Sequence, residues 1–245
     1  MAYVTSPAHI AAADLSTVTL IVNYRTGGVE TLIGPAARWW AELAATGDPA
    51  SPIALDAESA RTLLGRLIDA GLIIPAPHPH PWPVPVAGPT WEPSWGTREL
   101  TAGHVLSPPA PLGTTVRVSM ALVLVLGVLA LGRRRSRLSR LIRLLKWATG
   151  HTTRSATSDD AHHAVHAARR IGLWTPGRVA CLEESAAATL ALAITGRRVR
   201  WCHGAAADPI RLHAWVETEH GQPVAEPIPV DRFVPLYTIP RRRER

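Results

Sequence analysis

The chain has 245 residues, 47% of them apolar, enough for one large packed domain or two small ones. Two cysteines, Cys181 and Cys202, exclude a disulfide framework and point to a reducing compartment. The net charge of +7 is uneven: residues 1–100 carry 5 Arg against 9 acidic residues, and residues 101–245 carry 21 basic against 10 acidic. The acidic N-terminal part is a poor match for nucleic acid, whose phosphates call for a basic surface.

The opening MAYVTSPAH has no basic stretch leading into an apolar one. No signal peptide is expected, and the chain is expected to be cytoplasmic. TVTLIVNY (17–24) is rich in β-branched residues, with Val18, Leu20 and Val22 alternating on one face. RTGG (25–28) is a hairpin turn and VETLI (29–33) the returning strand. Gly34-Pro35 opens a helix carrying Ala37, Trp40, Ala41 and Ala44 at helical spacing. A second helix lies in LDAESARTLLGRLIDAGLII (55–74), with Asp56 as N-cap, an apolar stripe of Leu63, Leu64, Leu67 and Ile68, and Gly71 at its end. Strands, then helix, then helix suggest a small winged-helix domain over residues 1–75.

Residues 76–115 are rich in proline, which favours an extended linker. His78 and His80 alternate with prolines and are read as loop residues, not a metal site. VSMALVLVLGVLALG (118–132) is almost wholly apolar. At 1.5 Å per residue it spans about 22 Å, short of a ~30 Å hydrocarbon core. RRRSRLSRLIRLLKW then places Leu138, Leu141, Ile142 and Leu145 on one helical face and Arg137, Arg140, Arg143 and Lys146 elsewhere. Two readings of 118–146 stand: a core helix followed by an amphipathic one, or a hairpin that touches a membrane surface through its basic face. A helix over 159–171 follows, then one that starts near Cys181 and ends at Thr195-Gly196. Strands are expected at 198–203, 211–218 and 223–228. This C-terminal domain, 116–245, reads as α+β.

A cysteine at a helix N-terminus has its thiolate favoured by the helix dipole. Glu183 and Glu184 in the same first turn partly offset that field. His213, in LHAWVE, supplies a base. With the following turn centred between His220 and Gly221, Trp215 faces Glu226 and His213 faces Ile228. His213 and Glu226 are then diagonal neighbours on one face, ~7–8 Å apart at the backbone. Cys181, His213 and Glu226 make a nucleophile, a base and an orienting acid. Glu217 is a rival for the acid but lies roughly 13 Å along the strand, and Asp231 falls beyond the pairing. A one-residue change in the turn would flip Glu226 to the other face. Cys202 sits mid-strand. His162 and His166 are one helical turn apart and lack a third ligand. There is no P-loop and no HExxH, so no cofactor and no metal are expected.

CLEESAAATLALAITG, a strand, and LHAWVE followed by GQPV resemble the transglutaminase-like cysteine peptidases that mature lasso peptides. Cys181, Leu182, Ser185, His213, Ala214 and Trp215 match that family's pattern. The preceding apolar and Arg/Leu-rich helices also look like the family's opening segment. The family uses Asp as its acid, whereas this chain offers Glu226, one residue later after a longer turn. LIVNYRTGGVETLIGPAARWWAEL resembles the leader-recognition domain of peptide-modifying enzymes, similar to the pyrroloquinoline-quinone chaperone. Carried over, that resemblance implies leader binding along Val29, Glu30, Thr31, Leu32 and Ile33, and against Leu64 and Ile68. Together the two resemblances imply a winged-helix leader reader, a linker and a papain-like α+β peptidase. They imply a precursor peptide as substrate and an ATP-dependent, asparagine-synthetase-like cyclase as partner. Two alternatives remain: a winged-helix DNA-binding regulator with a membrane-associated C-terminal part, and a transglutaminase or other acyltransferase with the same residues.

Overall fold

The computed structural model describes residues 3–87, 107–175, 179–207, 209–226 and 229–240. Much of the expected linker (88–106), Ile228 and the basic end (241–245) lie outside the described residues. The chain divides into two units, Met1–Gly88 and Pro89–Arg245.

In the first unit, β1 (Tyr3–Thr5) precedes a meander of β2 (Ile10–Asp14), β3 (Val18–Asn23) and β4 (Gly28–Ile33). The β-branched run of β3 makes it the central strand. It is buried from Thr19 to Val22 on both faces, not only on the face of the alternating residues. Asn23 closes the β3–β4 turn by accepting from the backbone N–H groups of Arg25 and Thr26, and Gly27 takes positive φ. Strand β2, IAAAD, has no counterpart among the expected strands, because alanine has little strand preference.

Helix α1 (Pro35–Thr46) buries Trp39, Trp40 and Leu43 completely, whereas Ala41 is only half-buried. Helix α2 (Ala57–Asp69) starts as expected, with the Asp56 carboxylate accepting from Glu58 and Ser59 N–H. Leu67 is buried, and Leu63, Leu64 and Ile68 pack on the same core. Strand β5 (Ile74–Ala76) pairs with β1. Residues 76–87 belong to this unit: Trp82 meets Trp40 edge-on at 5.7 Å, and Val86 bridges to Asp14. The unit is thus a β-meander followed by two helices.

The second unit opens on α3 (Leu112–Ala130), 19 residues against the 15 expected, and α4 (Arg137–Gly150). Helix α3 is long and apolar enough to cross a membrane by length and composition. It nevertheless packs on the rest of its unit through Val118, Ala121, Leu122 and Val125. After the two-residue strand β6 (Arg154–Ser155) come α5 (Ser158–Trp174) and α6 (Cys181–Ile194). Helix α6 is the centre of the unit. Every residue from Ser185 to Ala193 is buried, and the helix contacts α3, α4, α5 and the sheet. Its alanines are what let so many elements approach one helix closely. Then come β7 (Arg197–Arg198), β8 (Arg200–Ala206), β9 (Arg211–Glu217) and β10 (Val234–Ile239). The main sheet is antiparallel in the order β10-β8-β9, and the mixture of helices and sheet agrees with an α+β fold. Strand β10 was not foreseen, because Pro235 interrupts its pattern. The ladder absorbs that proline with a register shift between Pro235 and Tyr237.

Candidate active site

Cys181 is the first residue of α6. The Glu183 carboxylate accepts from Ala180 N–H and so caps the helix start. One turn along, the Ser185 hydroxyl donates to the Cys181 carbonyl at 2.6 Å and accepts from Trp201 Nε1 at 2.9 Å. That pair of bonds ties the first turn of α6 to β8. Cys202 is fully buried on β8.

His213 projects from β9 opposite Gly204 of β8. Gly204 has no room for a side chain: a Cβ there would lie 2.4 Å from the Val234 carbonyl oxygen and 2.9 Å from the Trp215 ring. Trp215 stacks beside the imidazole at 5.9 Å between ring centres, and Phe233 lies 5.1 Å away. His213 Nε2 donates to Glu226 Oε2 at 2.7 Å, and the imidazole is also hydrogen-bonded to Cys181. The three residues expected to act together therefore meet.

The route by which Glu226 arrives differs from the expected one. Glu217 bridges Pro223 and Val224 N–H bonds to Val216 O, one residue off the expected pairing. Continued as a ladder, that register would place Glu226 opposite Ala214, on the wrong face. No strand over 223–228 forms among the described residues. Instead Ala225 adopts a left-handed φ of 53° and the chain turns back toward His213. Arg169 of α5 holds it there, donating to the Ala225 carbonyl and, at 3.0 Å, to Glu226 Oε1. The rival Glu217 is engaged elsewhere, by Trp215 Nε1 at 3.0 Å and Arg200 at 3.2 Å, and Asp231 is exposed in a 3₁₀ turn.

A cleft of about 190 Å³ opens on Cys181, His213 and Glu226. Val165, Ala214 and Val216 line its apolar wall; Arg169 and Glu184 supply its other charges. Burial alone would push the His213 pKa down. The hydrogen bonds to Cys181 and Glu226, and the charges of both partners, outweigh burial and lift it to about 9. Burial raises Glu184 above the usual carboxylate range, against the pull of Arg169. His203, stacked on Trp201, is pushed down to about 4 by burial and by the charge of His213. The site thus holds a cysteine sulfur beside an imidazole that stays protonated through neutral pH. Such a pair performs nucleophilic acyl chemistry.

Residues 123–238 resemble a transglutaminase-like domain. They match the model of the transglutaminase-like superfamily from the middle of α3 into β10. No curated protein and no solved structure matches the chain. The superfamily includes cysteine peptidases and points to a cysteine-dependent enzyme.

Arg169 and Glu184 entered the site without being foreseen as partners. Arg169 lies on the Ala161–Val165 stripe of α5, whose neighbours are buried. A cation on an otherwise apolar face was the available signal for a buried carboxylate partner. His162 and His166 lie on the same helix with ring centres 6.2 Å apart and planes tilted by 40°. Among the described residues no group of three potential ligands exists that would hold a metal ion.

In the first unit, β4 is an edge strand and is exposed along most of its length. Val29 and Ile33 are 44% and 68% exposed. Leu32, Leu64 and Ile68 are packed on the core. Glu30 pairs across from Ile21 and Thr31 from Leu20, and among the described residues no strand pairs with the other edge of β4.

Proposed function

We propose that the protein is the leader peptidase of a lasso-peptide pathway. The observation that carries the reading is the Cys181–His213–Glu226 arrangement in the cleft. The Cys181 thiolate attacks the carbonyl carbon at the leader–core junction. The backbone N–H of Cys181, an amide that the helix cannot satisfy itself, is a donor for the developing oxyanion. His213 gives its Nδ1 proton to the leaving amine, since Nε2 is bound to Glu226. Water, deprotonated by His213, then resolves the thioester, which releases the acid and restores the thiolate beside the protonated imidazole.

The open edge of β4 supports capture of the leader as an added strand. A separate ATP-dependent cyclase of the asparagine-synthetase type would close the released core. The DNA-binding reading is disfavoured by the net −4 of residues 1–100.

The test uses the purified full chain and short synthetic precursor peptides that carry a leader–core junction, read by mass spectrometry. The expected products are leader acid and free core. Leader cleavage that survives Cys181→Ala overturns the reading. Conversion to an amide on addition of a primary amine, in place of free acid, moves it to acyl transfer.

A further inference from the structure

The α3–α4 hairpin carries two features that the catalytic reading does not use. The first is an aliphatic stripe turned away from its own unit. Leu112, Val116, Met120, Val123 and Leu124 follow helical spacing on one face of α3, all exposed, with Met120 at 66% and Val123 at 71%. The opposite stripe is the one packed on the unit. A core helix would be buried on most of its surface, and this one is not.

The second feature is charge. Residues 112–150 contain eight basic residues and no acidic one. The remainder of the chain is therefore net −1, against +8 for the hairpin. Arg133, Arg134, Arg135, Arg137, Arg143 and Lys146 are all exposed, and no ion pair neutralises them among the described residues. Arg140 is structural: it donates to the Val128 carbonyl at 3.1 Å and to Arg133 O at 3.2 Å, fixing the turn between the helices. Trp147, on α4, is 65% exposed.

We infer that this hairpin docks the enzyme on an anionic phospholipid surface. The aliphatic stripe enters the boundary between headgroups and acyl chains, and the arginines meet lipid phosphates. Helix α3 lies along the surface instead of crossing it, because its inner stripe stays packed on α5 and α6. A second copy of the chain is a poor occupant, since it would bring +8 against +8. Nucleic acid has no use for an aliphatic stripe.

The test is flotation of the full chain with vesicles of phosphatidylcholine alone, and with phosphatidylcholine containing about 30% phosphatidylglycerol. The expected result is retention on the anionic vesicles only, weakened as salt rises from about 0.1 to about 0.5 M. Two exposed variants separate the contributions: Met120→Asp with Val123→Asp, and Arg133→Gln with Arg134→Gln and Arg135→Gln. Each is expected to lower the bound fraction about tenfold or more while circular dichroism stays unchanged. Three results overturn the inference: no retention on anionic vesicles, retention that neither variant alters, or a dimer in light scattering that the Asp variant dissociates without any lipid binding. Displacement from vesicles by duplex DNA, with binding insensitive to the Asp variant, would assign the surface to nucleic acid instead. Cleavage of a soluble peptide is read separately, so failure here leaves the peptidase reading intact.

Discussion

At the residue scale the site turns on one imidazole with two partners. His213 reaches about 9 because Cys181 and Glu226 outweigh its burial. The imidazolium is therefore present below that value and lost as pH rises through it. The alkaline limb of kcat/KM should fall near pH 9. In Glu226→Gln it should move down by about one pH unit or more, because the substitution removes a carboxylate charge that favours the protonated ring. A limb that does not move would remove Glu226 from the site. Alkylation by iodoacetamide offers a check without substrate. Cys181 should react near neutral pH and Cys202, fully buried, should not, with His213→Ala slowing Cys181 by about tenfold or more.

Arg169 acts through Glu226 as a positioning residue, not on substrate directly. Arg169→Met should lower kcat by about tenfold with KM little changed. Lys at the same position should recover only part of the loss, since an ammonium lacks the guanidinium's two-pronged geometry. Equal losses in kcat and in thermal stability would indicate a structural role only.

At the element scale, Gly204 shows how the sheet fits around the base. The Val234 carbonyl and the Trp215 ring occupy the space of its missing side chain. Gly204→Ala should cost about 1–3 kcal/mol of stability, as an overpacked core does, measured by chemical denaturation. The elements that sequence patterning revealed are those with unmixed signals. Helix α2 carries a capped start and an apolar stripe, β3 a run of β-branched residues, and β9 the strand that holds His213. Those it hid have ambiguous residues: the alanines of β2, and Pro235 inside β10. The meeting of His213 with Glu226 was legible, but not its cause. Period-two alternation describes a continuous strand, and Ala225 ends that continuity with a left-handed φ. No local pattern marks an alanine for that conformation.

At the scale of the whole molecule, the two units have different chemistry. The N-terminal one offers a strand edge that no strand pairs with among the described residues; the C-terminal one holds both cysteines. If β4 reads the leader, Ile33→Glu should raise KM for a full precursor several-fold, while a short peptide spanning only the scissile bond is cut at the unchanged rate. Ile33 is the suitable position because its 68% exposure lets a charge be tolerated; Leu64 and Ile68 support the core, and replacing them would confuse binding with folding. Equal effects on both peptides would separate β4 from recognition. The charge bias is legible in the sequence alone, since counting basic and acidic residues requires no fold. The direction in which α3 turns its aliphatic stripe is not, because a nearly all-apolar helix has no polar face to mark its outer side.

The grip of Arg169 on both the Ala225 carbonyl and the Glu226 carboxylate has a consequence for how such a site can change. An acid carried on a paired strand obeys parity: one inserted residue sends it to the opposite side. Here the acid is tethered to α5, so the turn from Thr218 to Gln222, ahead of the Pro223 bridge, behaves as a strap of adjustable length. Such a strap can gain or lose a residue, and exchange a shorter acid for a longer one, without the catalytic groups parting.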